Sequence, residues 1–198
     1  MAKKISVITG DLVNSQRGDT AAYLERLDSL LHDLLRAKRL HSFEIFRGDS
    51  FQAVAESEQG LLLAVYIRIA LKASGIAYRD ARVAVGIGSR KARGTGYGSA
   101  FLNSGKALDT IGKNCRLALK NDNDKTNAVV SDLLPMLDHV IGRLSPSEAK
   151  IVQARMFAAT NVEVAKKLQK ATSTVSAALK RAAYEEITRF ISAINRIT

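Results

Sequence analysis

Helix-length apolar segments alternate with short β-branched runs through the first half of the chain, and that alternation leaves few folds open. Ile5 to Ile8 is an apolar run broken by Thr9-Gly10-Asp11, the pattern of a buried strand passing into a loop. Tyr23, Leu24, Leu27, Leu30, Leu31, Leu34 and Leu35 then recur at helical spacing behind Asp19 and Thr20, two candidate caps. The stretch EIFRGDSFQAV, Glu44 to Val54, reads as two strands around the polar turn Arg47-Gly48-Asp49-Ser50. Leu61 to Ala73 is strongly apolar, long enough for a helix, and stops at Ser74-Gly75. ARVAVGIG, Ala81 to Gly88, is β-branched and reads as another buried strand.

The order is β-α-β-β-α-β, which predicts the ferredoxin-like split unit. A glycine-rich basic loop, GSRKARGTGYG, comes next, then a helix from Ser99 to about Gly112 and a strand near CRLALK. After the polar break NDNDKTN a helix is expected from about Asn127 to Ile141, kinked or split at Pro135. The character changes around Gly142. Ser145-Pro146-Ser147-Glu148 is a capping box with proline at the first helical position, Thr160 and Glu163 offer a second box, and Thr172 or Ser173 a third start. Three closely spaced helices there predict a small helical domain. The expected class is therefore α+β, with a ferredoxin-like domain over residues 1–141 and an all-α domain over 142–198.

The C-terminal helices resemble the helix-turn-helix of sigma-factor region 4 and of response-regulator DNA-binding domains. Val164, Ala165 and Leu168 on the second helix and Val175 and Leu179 on the third carry the resemblance. It implies a third helix in the major groove of double-stranded DNA. Thr172, Ser173, Thr174 and Ser176 are short hydrogen-bonding side chains suited to bases or phosphates. Lys166, Lys167, Lys170, Lys180 and Arg181 are placed to pair with phosphates. Gln169 stands where such motifs usually have glycine, and Lys170 where an apolar turn residue is common. The bland alternative is a three-helix bundle with a solvated basic face. Beyond it, Ile187, Phe190, Ile191, Ile194 and Ile197 form an apolar stripe, which suits either packing on the N-terminal domain or a homodimer interface.

Charge weighs on the first side. The 198 residues carry 30 Lys and Arg against 19 Asp and Glu, a net charge of +11, which points to a polyanionic partner. Between Val140 and Thr198 ten basic residues face four acidic ones. The start of the chain lacks the apolar run of a signal peptide, and no segment approaches the roughly 20 apolar residues of a membrane span, so a cytoplasmic protein with no membrane partner is expected. Cys115, the single cysteine, excludes an intrachain disulfide and reads as inert core in an apolar strand. His32, His41 and His139 share no zinc-ligand spacing.

In a β-α-β-β-α-β sheet the end of the first strand and the tip of the first hairpin lie at one edge, which brings Asp11 toward Asp49. TGDLVNS, FRGDSF and RVAVGIGS, in this order, resemble the palm-type core of class III nucleotidyl cyclases and diguanylate cyclases. The resemblance implies Asp11 and Asp49 as ligands for Mg²⁺, which would polarise a hydroxyl and hold the phosphates of a nucleotide. It also implies a ligand-binding set of Arg47, Gly48, Arg90, Lys91, Arg93, Gly94, Asn103 and Lys106. Two departures argue against turnover: Ser50 replaces the acid that follows the Gly-Asp pair in diguanylate cyclases, and Ala107 the arginine that follows the helical asparagine in cyclases. The rival reading of Asp49 is a turn aspartate capping its own backbone.

Taken whole, ITGDLVNS, FRGDSF, RVAVGIG, GSAFLNSGKALD and the terminal helix-turn-helix resemble the SatD family of small bacterial proteins. That resemblance implies a bacterial DNA-binding transcriptional regulator. Its cyclase-like domain would bind a nucleotide or similar anion without turnover, and the protein would act as a homodimer. The alternative is an active metal-dependent nucleotidyl cyclase or nucleotidyltransferase with a regulatory helical domain.

Overall fold

The computed structural model describes residues 4–14, 19–46, 48–75, 79–90, 98–112 and 115–198. Among them five strands and eight α-helices follow in the order β1 (Lys4–Val13), α1 (Thr20–Arg36), β2 (Ser42–Phe46), β3 (Ser50–Glu56), α2 (Gly60–Lys72), β4 (Asp80–Ser89), α3 (Ser99–Thr110), β5 (Leu117–Lys120), α4 (Asp124–Arg143), α5 (Pro146–Met156), α6 (Asn161–Leu168), α7 (Thr172–Arg181) and α8 (Tyr184–Ile197). The class is α+β, as the sequence predicts, built on one mixed sheet of order β2-β3-β1-β4-β5. The crossovers through α1 and α2 keep strand direction and the β2–β3 hairpin reverses it, so β1 pairs antiparallel with β3 and β4, and β2 with β3. The crossover through α3 makes β5 parallel to β4. No helix among the described residues is long and apolar enough to cross a membrane.

Alternation along the strands gives the sheet two faces. Gly60, at the start of α2, abuts Ser6 and Val85, whereas Gly86, the next residue on β4, abuts Ala100 and Ser104 of α3. Helices α2 and α3 therefore cover opposite faces. A side chain at Gly86 would collide with α3 backbone, so only glycine lets α3 lie flat there.

α2 explains the rest of the packing. Its sequence, GLLLAVYIRIALK, has apolar residues on every side, and only Leu62 and Tyr66 keep partial exposure. Such a helix needs cover all round. The sheet covers one side, α1 lies beside it, and α4, α5 and α8 cover the other. One contiguous apolar core consequently runs from Ile8 on β1 to Ile194 on α8. The α8 stripe is spent in this core: Ile187, Ile191 and Ile194 are buried and Phe190 packs against them. Of the two readings of that stripe, packing on the protein's own core accounts for Ile187, Ile191 and Ile194, while Ile197 at its end is exposed.

Several boundaries differ from expectation for local reasons. Asp19, not Thr20, caps α1, accepting the Ala22 N–H at 2.9 Å. α4 begins earlier, under the Asn123 cap, and runs unbroken through Pro135, which sits on its exposed side. The Ser145–Glu148 box is complete. At α6, Thr160 accepts the Glu163 N–H, but Glu163 reaches back to Ala159 N rather than to Thr160, so that box is not reciprocal. α7 starts at Thr172 behind Ala171, which offers no side-chain cap, so neither Thr172 nor Ser173 is the cap residue. Cys115 precedes β5 instead of lying in it and is half-buried; burial pushes its thiol pKa up.

The one charge at the centre of this packing is Arg68, fully buried on α2. Its Nε and Nη2 donate to the two carboxylate oxygens of Asp80 at 2.9 and 3.0 Å, and its Nη1 donates to Asp138 on α4. Arg116 adds a bond to Asp80 Oδ2 at 2.8 Å. Tyr23 on α1 donates its hydroxyl to the Asp80 carbonyl and accepts the Asp80 N–H. Burial alone would raise the Asp80 pKa, but the charge and hydrogen bonds of Arg68, with Arg116 behind them, hold it below the ordinary carboxylate range.

Two outcomes follow from this cluster. Arg68→Ala strands two carboxylates in the core and lowers the unfolding free energy by about 3–5 kcal/mol, read by urea denaturation. The folded Asp80 pKa lies below the unfolded one, so as pH falls the unfolded chain takes up the proton first. The stabilisation is complete above the ordinary carboxylate range and is lost as pH drops through the depressed folded value. Urea midpoints between pH 6 and pH 3 should fall less steeply in Asp80→Asn, which lacks this group.

Candidate functional site

Two regions hold the residues singled out by sequence. The first is the corner where β1 ends beside the β2–β3 turn. Asp11 sits in register between Ser50 on β3 and Arg82 on β4. Its Oδ1 accepts from the Ser50 hydroxyl at 2.7 Å and its Oδ2 faces Arg82 Nη2 at 3.2 Å. Gly48 takes φ +84° at the turn, a conformation that favours glycine. The Asp49 carbonyl accepts the Leu12 N–H at 2.9 Å, which ties the hairpin tip to the end of β1. The chain segments carrying Asp11 and Asp49 therefore adjoin, as the topology requires.

The chemistry of the corner is not that of a bare carboxylate pair. Ser50, standing where diguanylate cyclases have an acid, is a donor to Asp11, and Arg82 already supplies a cation there. A Mg²⁺ ion at Asp11 has to displace that guanidinium. Among the described residues no group of three or more His, Cys, Asp or Glu is arranged to hold a metal.

Of the rest of the implied ligand set, Arg90, Asn103 and Lys106 lie away from this corner. Asn103 is buried at the other end of β4, its amide donating to the Ile87 carbonyl at 3.0 Å and to Asp122 Oδ1 at 2.8 Å. Ser99 holds the other oxygen of Asp122 at 2.9 Å. Ile87 lies five residues along β4 from Arg82, about 17 Å at the ordinary strand rise. Arg90 is exposed just past that same far end, and Lys106 is exposed on α3. The reason is direction: β4 is antiparallel to β1, so the helix that follows β4 starts away from Asp11. Arg47, Lys91, Arg93 and Gly94 lie outside the described residues.

The second region is the pair α6 and α7. Val164 and Ala165 are buried on α6, and Val175, Ala178 and Leu179 on α7, so the two helices close on a shared core with Leu168 half-buried at its rim. The turn between them turns on Gln169, whose φ of 52° and ψ of 47° are left-handed. The Lys170 N–H then reaches back to the Ala165 carbonyl at 2.9 Å. Lys166, Lys167, Lys170, Thr172, Ser173, Thr174, Ser176 and Lys180 are all exposed. Arg181 is exposed as well, but its Nε is held by Glu148 at 3.3 Å, across to the cap of α5.

Helical geometry sorts these side chains. With Val175, Ala178, Leu179 and Ala182 turned inward, Ser173, Ala177 and Lys180 form the outermost ridge. Ala177 escaped sequence reasoning because alanine has no chemistry of its own; its spacing from Ser173 and Lys180 was the available signal. A small residue there lets a flat partner approach the helix closely. Ser176 flanks the ridge and accepts from Asn161 Nδ2 at 3.1 Å, which leaves its own hydroxyl hydrogen to donate outward. Asn161 is fixed in turn by Arg155 Nε at 3.0 Å. The first-turn N–H groups of α7 carry no side-chain cap and point into solvent, a favourable place for an anion.

Gln169→Gly removes a left-handed strain of about 1 kcal/mol and should raise the urea midpoint by that equivalent; an unchanged or lower midpoint would contradict the turn geometry. In comparisons with known proteins, no family model and no curated sequence matches the chain, so its function is argued from these two regions alone.

Proposed function

We propose that the chain is a DNA-binding transcriptional regulator, with α6 and α7 as a helix-turn-helix and α7 as the element that enters the major groove. The observation that carries this reading is the outer face of α7. A small central residue, Ala177, lies between a hydroxyl and an ammonium, on a helix with an uncapped start, and the preceding α6 and its turn expose Lys166, Lys167 and Lys170. Ser173 and Ser176 supply hydroxyls for base edges or phosphates, Ala177 suits a thymine methyl, and the lysines suit the backbone.

The sheet order β2-β3-β1-β4, with β1 and β3 central and antiparallel, supports reading the N-terminal part as a ferredoxin-like palm of the cyclase type. In this reading the palm binds a nucleotide-like anion without turning it over, since Ser50 and Arg82 already occupy the Asp11 carboxylate. The SatD-family resemblance agrees with a regulator. A homodimer would place two copies of α7 on two half-sites.

Fluorescence anisotropy with a mixed-sequence duplex tests the first claim. Binding should weaken steeply with salt, and Lys180→Ala should lower the slope of log K against log salt by about 1. A duplex left unbound at about 50 mM salt would sink the reading. Incubation with nucleoside triphosphates and Mg²⁺ or Mn²⁺ should give no product; conversion lost in both Asp11→Ala and Asp49→Ala would replace a regulator with an enzyme.

A further inference from the structure

A cavity of about 410 Å³ opens beside the buried Arg68 cluster, between α4 and the approach to β5. Arg68, Arg116, Asp138, His139, Gly142 and Arg143 line it. The α4 contributors Asp138, His139, Gly142 and Arg143 are spaced to share one helical face. Neither the DNA reading nor the palm reading uses this place.

The charges around it do not balance. Asp80 is taken up by Arg68, Arg116 and the Ala81 N–H, and Asp138 Oδ1 by Arg68. Lys72 is buried at the same junction, with its Nζ 3.1 Å from the Gly142 carbonyl and no carboxylate bonded to it among the described residues. Burial pushes its pKa down against the opposing attraction of Asp80, and Arg68 and Arg116 add to the downward push. Arg143 makes no ion pair among the described residues. Three cations, Arg68, Arg116 and Arg143, line the cavity against one lining carboxylate, Asp138, a surplus of two that favours an anion there.

Gly142 points the same way. A glycine inside a helix costs about 1 kcal/mol against alanine. Here a Cβ would meet nothing within 4 Å, so packing does not require it. It lies exposed on the wall of the cavity, with no side chain to narrow it.

We propose that this cavity is a binding site for a phosphate group, with Arg143 and Arg116 at the mouth and Lys72 behind the Gly142 carbonyl. A phosphomonoester carries about −1.5 to −2 at neutral pH, which matches the surplus of two. Asp138 in the wall does not oppose it, because Arg68 neutralises that carboxylate. The site adjoins the end of α4, two residues before Ser145 caps α5, so a ligand here touches the root of the helical domain.

The test is thermal unfolding of the full chain in inorganic phosphate against chloride at matched ionic strength. Wild type should show a saturable rise, about 3–5 °C at tenfold excess over the dissociation constant. Arg143→Gln removes a mouth cation outside the Arg68 network, and Gly142→Leu fills the mouth while favouring helix. Both should melt in chloride close to wild type and lose most of the phosphate response. Lys180→Ala should keep it. A flat wild-type curve overturns the site, as does a response that survives in both cavity variants. A response lost in Lys180→Ala would assign the phosphate to α7 instead.

Discussion

Arg68 is the point on which the rest of the structure depends. It sits in the middle of an otherwise apolar helix, where an unpaired guanidinium could not stay. It makes two hydrogen bonds to Asp80 at the start of β4 and one to Asp138 on α4, while Arg116 and Tyr23 fasten Asp80 further. Sheet, first helix and α4 are thereby fastened around one side chain. Apolar burial supplies the bulk of the driving force, but it is indifferent to small slips of one layer on another. Directed bonds to two carboxylates are not.

The same arrangement explains why the helical part of the chain is attached as it is. α2 needs cover on the side away from the sheet, and α5, α4 and α8 provide it. Ile187, Ile191 and Ile194 of α8 turn inward for that reason. α6 and α7 are left at the periphery with their small core on one side and an open basic face on the other. Arg155, Asn161 and Ser176 tie that face back to α5.

Much of this was legible in the sequence where the cause is local. Alternating apolar periods gave the strand and helix order, Ser145 and Glu148 marked a true capping box, and Gln169 was suspect at its turn before its left-handed φ was known. What was not legible depends on residues far apart. Nothing in the sequence near Arg68 points to a partner twelve residues on and another seventy residues on. Asn103 looked like a ligand residue because its family pattern is local, yet Asp122 and the Ile87 carbonyl claim its amide. Asp11 and Asp49 were correctly drawn to one edge by topology; that Arg82 would stand beside Asp11 required the register of β4.

The central claim is that α7 is the surface that meets duplex DNA. Backbone amide chemical shifts of the full chain, followed while a duplex is added, test it most directly. The account predicts the largest changes at Thr172–Thr174, Ala177 and Lys180, with Arg68, Asp80 and the sheet interior unmoved. Changes centred on Asp11, Ser50 and Arg82, or none on α7, would contradict it.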